Sequence, residues 1–208
     1  VIAVVTLALL TAAFGPARVG PDLPLVVPGT APRDAADLSA RVLEYESEDT
    51  MTDAARKIFE QTSPTVEPIA MLYTSCRMTR IDGCYAEGPD RIYLADDTEV
   101  GAADDMRVAA AHEMLHAVWQ RMSESQKSVV RPEIDAAAAK LATDPAFIAR
   151  MHDYGAMDPV TRYAELHSLL GTEFGDLGSP LESYYSQYFS QRSTIVAFAE
   201  TAKQRLAG

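Results

Sequence analysis

Positive charge is scarce in this chain of 208 residues, where 18 Lys and Arg stand against 30 Asp and Glu for a net charge of −12. No basic patch is available to neutralise phosphates, so no nucleic-acid partner is expected. The acidic residues are spread along the chain, a pattern that serves solubility and does not identify a substrate. Cysteine is nearly absent, with Cys76 and Cys84 alone. Two thiols are too few for a metal site of their own; in an oxidising compartment they close a short loop worth about 2–3 kcal/mol. There is no internal repeat and no low-complexity run apart from one proline-rich stretch. The length suits one domain with a tail. Long hydrophobic runs are lacking too. Val1 to Phe14 is uncharged and apolar apart from Thr6 and Thr11, yet falls short of the roughly 20 residues that a spanning helix needs.

That run has the length of a signal-peptide core, and with further apolar residues ahead of it would make a membrane anchor. The alternative is a buried N-terminal helix. Residues 1–15 are therefore expected to be a signal peptide or a single membrane span. A stretch holding Pro16, Pro21, Pro24, Pro28 and Pro32 cannot propagate helix or sheet interior. Residues 16–48 are expected to form an extended linker, and 49–208 a folded domain outside the cytoplasm, membrane-anchored or secreted. In that setting Cys76 and Cys84 are expected to be disulfide-bonded.

The chain is organised around Ala109-Ala110-Ala111-His112-Glu113-Met114-Leu115-His116-Ala117-Val118-Trp119. Histidines four apart on a helix lie on one face, about a turn from each other, and their ring nitrogens can close on one metal ion. From Val108 to Trp119 the only formally charged residue is Glu113, so the helix is apolar all round and expected to be buried. A buried carboxylate between two histidines is costly unless something neutralises it. A zinc ion with bound water does so, with Glu113 placed to take the water's proton. The plainer alternative is an amphipathic core helix that happens to carry two histidines.

Elsewhere the pattern is mostly helical. Ala35 to Glu48 fits a short helix or an edge strand. Thr52 to Gln61 reads as helix with Thr52 as N-cap. Val66 to Tyr73 and Arg91 to Leu94 read as strands flanking the Cys76–Cys84 loop, with Gly83 at its turn. Ser123 to Gln126 fits a capping box, and Pro132 is expected to interrupt the helix that follows. Phe147 to Met151 is a further short apolar piece. Asp158-Pro159 opens a helix ending near Gly171, and Ser179 to Glu182 opens a long final helix with a second capping box.

At the His-Glu-x-x-His segment the chain resembles the zincin superfamily of zinc metallopeptidases. Zincins carry a small sheet whose edge strand binds extended substrate, and the fold class expected here is accordingly α+β, mostly helical, with a small β-sheet packed on the zinc helix. The branch whose third ligand is a histidine after a glycine is excluded, since Trp119 and Met122 stand at those positions. In the gluzincin branch the third ligand is a glutamate on a later helix. Ala164-Glu165-Leu166-His167-Ser168-Leu169 matches that motif at its Glu and Ser but has Ala for Asn and Leu for Asp. The missing Asp normally orients a ligand histidine, and Glu173 is a candidate for that role. The third ligand is expected to be Glu165, with His167, Glu173 and His152 as alternatives. Helical geometry favours His167, which falls near the apolar face of Val160, Tyr163, Leu166 and Leu170.

The resemblance implies a zinc metalloendopeptidase acting on protein or peptide substrates. His112, His116 and Glu165 would hold the zinc and Glu113 would act as general base. Tyr184, Tyr185 or Tyr188 could supply a phenol to the oxyanion. The alternative, from a different class, is a catalytically silent, zinc-stabilised binding module of the cell envelope.

Overall fold

The computed structural model describes residues 40–46, 50–76, 82–96, 103–154 and 157–207. The helices are α1 (Ala40–Tyr45), α2 (Asp53–Gln61), α3 (Ile69–Cys76), α4 (Ala103–Arg121), α5 (Glu124–Lys140), α6 (Pro145–Asp153), α7 (Pro159–Glu173), α8 (Ser179–Tyr185) and α9 (Arg192–Ala207). Three strands, β1 (Thr65–Glu67), β2 (Gly83–Ala86) and β3 (Arg91–Ala95), form one mixed sheet in the order β1-β3-β2. β1 runs parallel to β3, and β2 antiparallel to it with Cys84 opposite Tyr93. This is the mostly helical α+β fold expected.

The helix α4 is central. It packs against α1, α2, α7, α9 and the strands β2 and β3, as an all-round apolar helix must. Ala110, Ala111, Met114, Leu115 and Ala117 are fully buried on it. Its contact with α7 is close because Gly171 has no side chain. A Cβ there would collide with the Leu115 side chain and come within 2.8 Å of the Tyr185 ring. Gly171→Ala is therefore expected to force α7 away from α4 at a cost of roughly 1–3 kcal/mol. The measurement is thermal unfolding with metal titration, since α4 and α7 together carry the site described below. An unchanged melting temperature would show that the helices separate freely.

Several local expectations hold. Thr52 caps α2 through its side chain, and Ser123 with Gln126 forms the full capping box of α5. Asp158 caps α7 ahead of Pro159. Residues 40–45 are helical, one of the two alternatives for Ala35 to Glu48, and this corrects the extended-linker reading there, since Val42 and Tyr45 join the core.

Others are corrected. The strand expected over Val66 to Tyr73 stops at Glu67. Pro68 favours an extended residue before it and starts a helix after it, and its carbonyl accepts from Met71 and Leu72. Pro132 does not interrupt α5. The lost hydrogen bond costs about 3 kcal/mol, offset by burial of Val130, Ile134 and Ala137 on either side. The helix α7 runs past Gly171 to Glu173. The second capping box is absent: Gly178 is the N-cap, with no side-chain cap, and Glu182 instead accepts from Leu177 N–H and pairs with the Arg192 guanidinium. The long final helix is split between Tyr185 and Arg192. Residues 188–190 are drawn out by partners distant in sequence: Thr52 N–H donates to Tyr188 O, and Ser190 N–H to Thr50 O. The buried Arg192 then donates to the carbonyls of Leu170, Gly171 and Phe174, closing the C-terminal end of α7.

The membrane partner expected through Val1–Phe14 is also corrected. Among the described residues no helix is long and apolar enough to cross a membrane, and residues 1–39 lie outside them.

Away from the site, Glu46 is 6% exposed and its Oε2 has no partner among the described residues. Burial, with Glu60 nearby, pushes its carboxyl from an ordinary 4.5 up to about 7. The folded chain thus holds this proton more tightly than the unfolded one. The stabilisation is complete below pH 4.5 and is lost as pH rises through 7. Glu46→Gln should match the wild type at pH 4 and exceed it at pH 8, by up to roughly 3 kcal/mol. Denaturant unfolding at the two pH values checks this, and equal differences at both would refute it.

Candidate metal centre

His112 and His116 project from one face of α4 as their four-residue spacing demands. Their Nε2 atoms are 3.2 Å apart. Glu165, on α7, closes the third side: Oε2 lies 3.6 Å from His112 Nε2, and Oε1 lies 3.5 Å from His116 Nε2. The three side chains form a group able to hold one metal ion. Four donors at about 2.0–2.1 Å around tetrahedral zinc stand roughly 3.4 Å from one another. The observed spacings of 3.2–3.6 Å match that edge. Two imidazoles and one carboxylate also suit a borderline cation with one position left open. The residues fit the ion that the sequence implies.

Burial works to raise the Glu165 carboxyl. Hydrogen bonds to His112 and His116 overcome it and hold the group well below the usual carboxylate range, as an anionic ligand requires.

His167 takes a different place. It is fully buried, its ring 5.0 Å from that of Trp119 and its Nε2 2.7 Å from Tyr184 Oη. Burial, reinforced by His116 and His112, lowers its pKa to about 3, so it is a neutral core histidine and not a member of the donor group. The helical-face argument misled because it assumed one buried face. Every residue of α7 from Leu166 to Glu173 is buried, and Glu165 lies where the burial begins. Glu173 does not orient a ligand histidine; it is held by Arg150 and Lys203. His152 lies on an exposed part of α6.

Glu113 stands apart from the group of three. It is 9% exposed. Burial raises its pKa to about 7, with Glu165 adding to the rise, while His116 and a main-chain hydrogen bond from Tyr85 oppose it. That bond comes from β2. In the antiparallel ladder Ala95 N–H donates to Asp82 O, so Cys84 and Ala86 bond to β3 while Gly83 and Tyr85 turn their main-chain groups outward. Gly83 is a glycine for a reason of space: a Cβ there would lie 3.3 Å from Glu113 Cγ and 2.9 Å from the Leu94 side chain. The other end of the hairpin is clamped to α4, for Tyr85 Oη donates to Asp90, which Arg121 grips with two hydrogen bonds.

The tyrosines expected to face the oxyanion do not. Tyr184 and Tyr185 are core residues; Tyr185 Oη donates to His167 O, and Tyr188 packs on the Tyr184 ring at 5.5 Å. The phenol that senses the site is Tyr154, after α6. Burial raises its pKa, and Glu165, Glu173 and Glu113 contribute to the rise. Nothing in its local sequence marks it, because it is brought in by tertiary packing.

Comparison with models of protein families, with curated proteins and with solved structures finds no match for this chain.

Proposed function

We propose that this chain is a zinc-dependent metalloendopeptidase of the gluzincin kind, hydrolysing peptide bonds outside the cytoplasm. The observation that carries the reading is the division of labour among four side chains. His112, His116 and Glu165 converge with tetrahedral spacing, while the adjacent Glu113 is buried, raised toward neutrality and turned to β2. A site serving only stability needs no such base and favours a fourth protein ligand. When bound, zinc supplies Lewis-acid polarisation of the scissile carbonyl and of water.

The remaining work belongs to the chain. Glu113, steadied by the Tyr85 N–H, takes a proton from the attacking water and delivers it to the leaving amine. Among the described residues β2 pairs with β3 alone, so the outward main-chain groups at Gly83 offer an edge to an extended peptide. The Cys76–Cys84 disulfide supports an oxidising compartment.

The test is metal analysis of the purified protein with cleavage of a mixed peptide library before and after chelation. About one zinc per chain is expected, with cleavage lost to the chelator and restored by zinc. Bound zinc without cleavage would favour the binding module.

A further inference from the structure

The strand next to the base is held by a covalent bond that the metal donors do not share. Cys76, the last residue of α3, is bonded to Cys84 in the middle of β2. Cys84 lies between Gly83, which packs on the Glu113 side chain, and Tyr85, whose main chain bonds to its carboxylate. Beyond its ladder with β3, β2 is fixed at one end by Tyr85, Asp90 and Arg121. Through Cys84 the bridge ties it to α3, which also packs on β3. His112, His116 and Glu165 sit on α4 and α7, whose contact through Gly171 and Leu115 involves neither cysteine. Both cysteines are partly exposed, so a soluble reductant has access.

We infer that the Cys76–Cys84 disulfide is a redox latch on the base: it holds β2 against Glu113, so that hydrolysis requires the closed bridge and metal binding does not. This rests on the hydrolase reading above. Opening is a two-electron exchange with a dithiol. A thiolate of the reductant attacks one cysteine sulfur, the S–S bond breaks, and the second reductant thiol resolves the mixed disulfide. Cys76 and Cys84 leave as two thiols carrying the two hydrogens of the dithiol, which is released as its own disulfide. The freed β2 keeps its pairing with β3 but loses its tie to α3, and the Tyr85 N–H leaves the carboxylate for part of the time.

The experiment uses the zinc-loaded full chain in three forms: oxidised, reduced with a phosphine that does not compete for zinc, and the double variant Cys76→Ser/Cys84→Ser. Zinc content, far-UV circular dichroism, library cleavage and hydrogen exchange at the Tyr85 amide are measured on each. Opening the bridge is expected to lower cleavage and Tyr85 amide protection by about tenfold or more, with zinc and helicity unchanged and cleavage restored on reoxidation. Glu113→Ala in the oxidised form should lose the same amide protection, which ties that signal to the carboxylate. Unchanged cleavage and protection in the opened forms would overturn the latch. So would loss of zinc and helicity together with activity, which would make the bridge a staple of the whole fold. If no form cleaves any peptide, the hydrolase reading fails. The latch on hydrolysis falls with it, whereas cleavage that survives opening of the bridge overturns the latch and leaves the hydrolase reading standing.

Discussion

Glu113→Gln is expected to leave zinc in place and to reduce peptide hydrolysis by roughly a hundred- to ten-thousandfold. The glutamine has the same length and can still accept from the Tyr85 main chain, so the packing of Gly83 on this side chain is preserved. What disappears is the basic oxygen. Water then has no partner to receive its proton, and the leaving amine none to supply one. The fold should gain and not lose, because a carboxylate that burial already pushes to about 7 is replaced by a neutral group. The combination of retained zinc, an equal or higher melting temperature and lost turnover is specific to a base. Equal turnover in wild type and variant, with zinc verified in both, would remove Glu113 from the mechanism.

The second large effect separates two residues on one helix. Glu165→Ala should release zinc with an affinity loss exceeding the ten- to hundredfold typical of a lost supporting hydrogen bond, since it removes one of three donors. It should cost the fold little, the histidines being only half-buried beside it. His167→Ala should do the reverse. It empties a fully buried site among Trp119, Tyr184 and Tyr185 and removes the 2.7 Å hydrogen bond to the Tyr184 hydroxyl, for an expected 2–5 kcal/mol, about the scale of large core truncations. Its zinc affinity, measured below its melting temperature, should stay within about tenfold of wild type. Chelator competition beside thermal unfolding decides the matter. Release of metal by His167→Ala alone would move the third ligand to that residue.

The contrast shows which parts of the molecule were legible in the chain. The histidine pair and the buried Glu113 beside it were, because a four-residue spacing on a helix otherwise apolar from Val108 to Trp119 fixes their relation without help from elsewhere. So were the caps at Thr52, Ser123 and Asp158, where a side chain bonds to its own first turn. Features decided by distant partners were not. The break between α8 and α9 depends on hydrogen bonds to Thr50 and Thr52, and the continuity of α5 through Pro132 depends on burial on both sides. The choice of Glu165 over His167 turned on how many sides of α7 are covered, which no single-helix periodicity reports. Tyr154 reaches the site only through the packing of α6, and its sequence neighbours carry no sign of that.

The hydrogen bonds between residues 50–52 and 188–190 also set an order of events. The segment that pins the start of α2 is synthesised after every residue of the His112, His116 and Glu165 group, and Arg192, which seals the far end of α7, follows it immediately. Every metal donor has been made well before either clasp exists. A nascent chain that has released Glu165 therefore carries a complete set of ligands on a scaffold that is still open at both ends. Closure is a long-range step of high sequence separation, slow by nature. The closed domain should accordingly form only after residues 188–192 are released, and chains ending before Phe189 should stay open to proteases however much zinc is supplied.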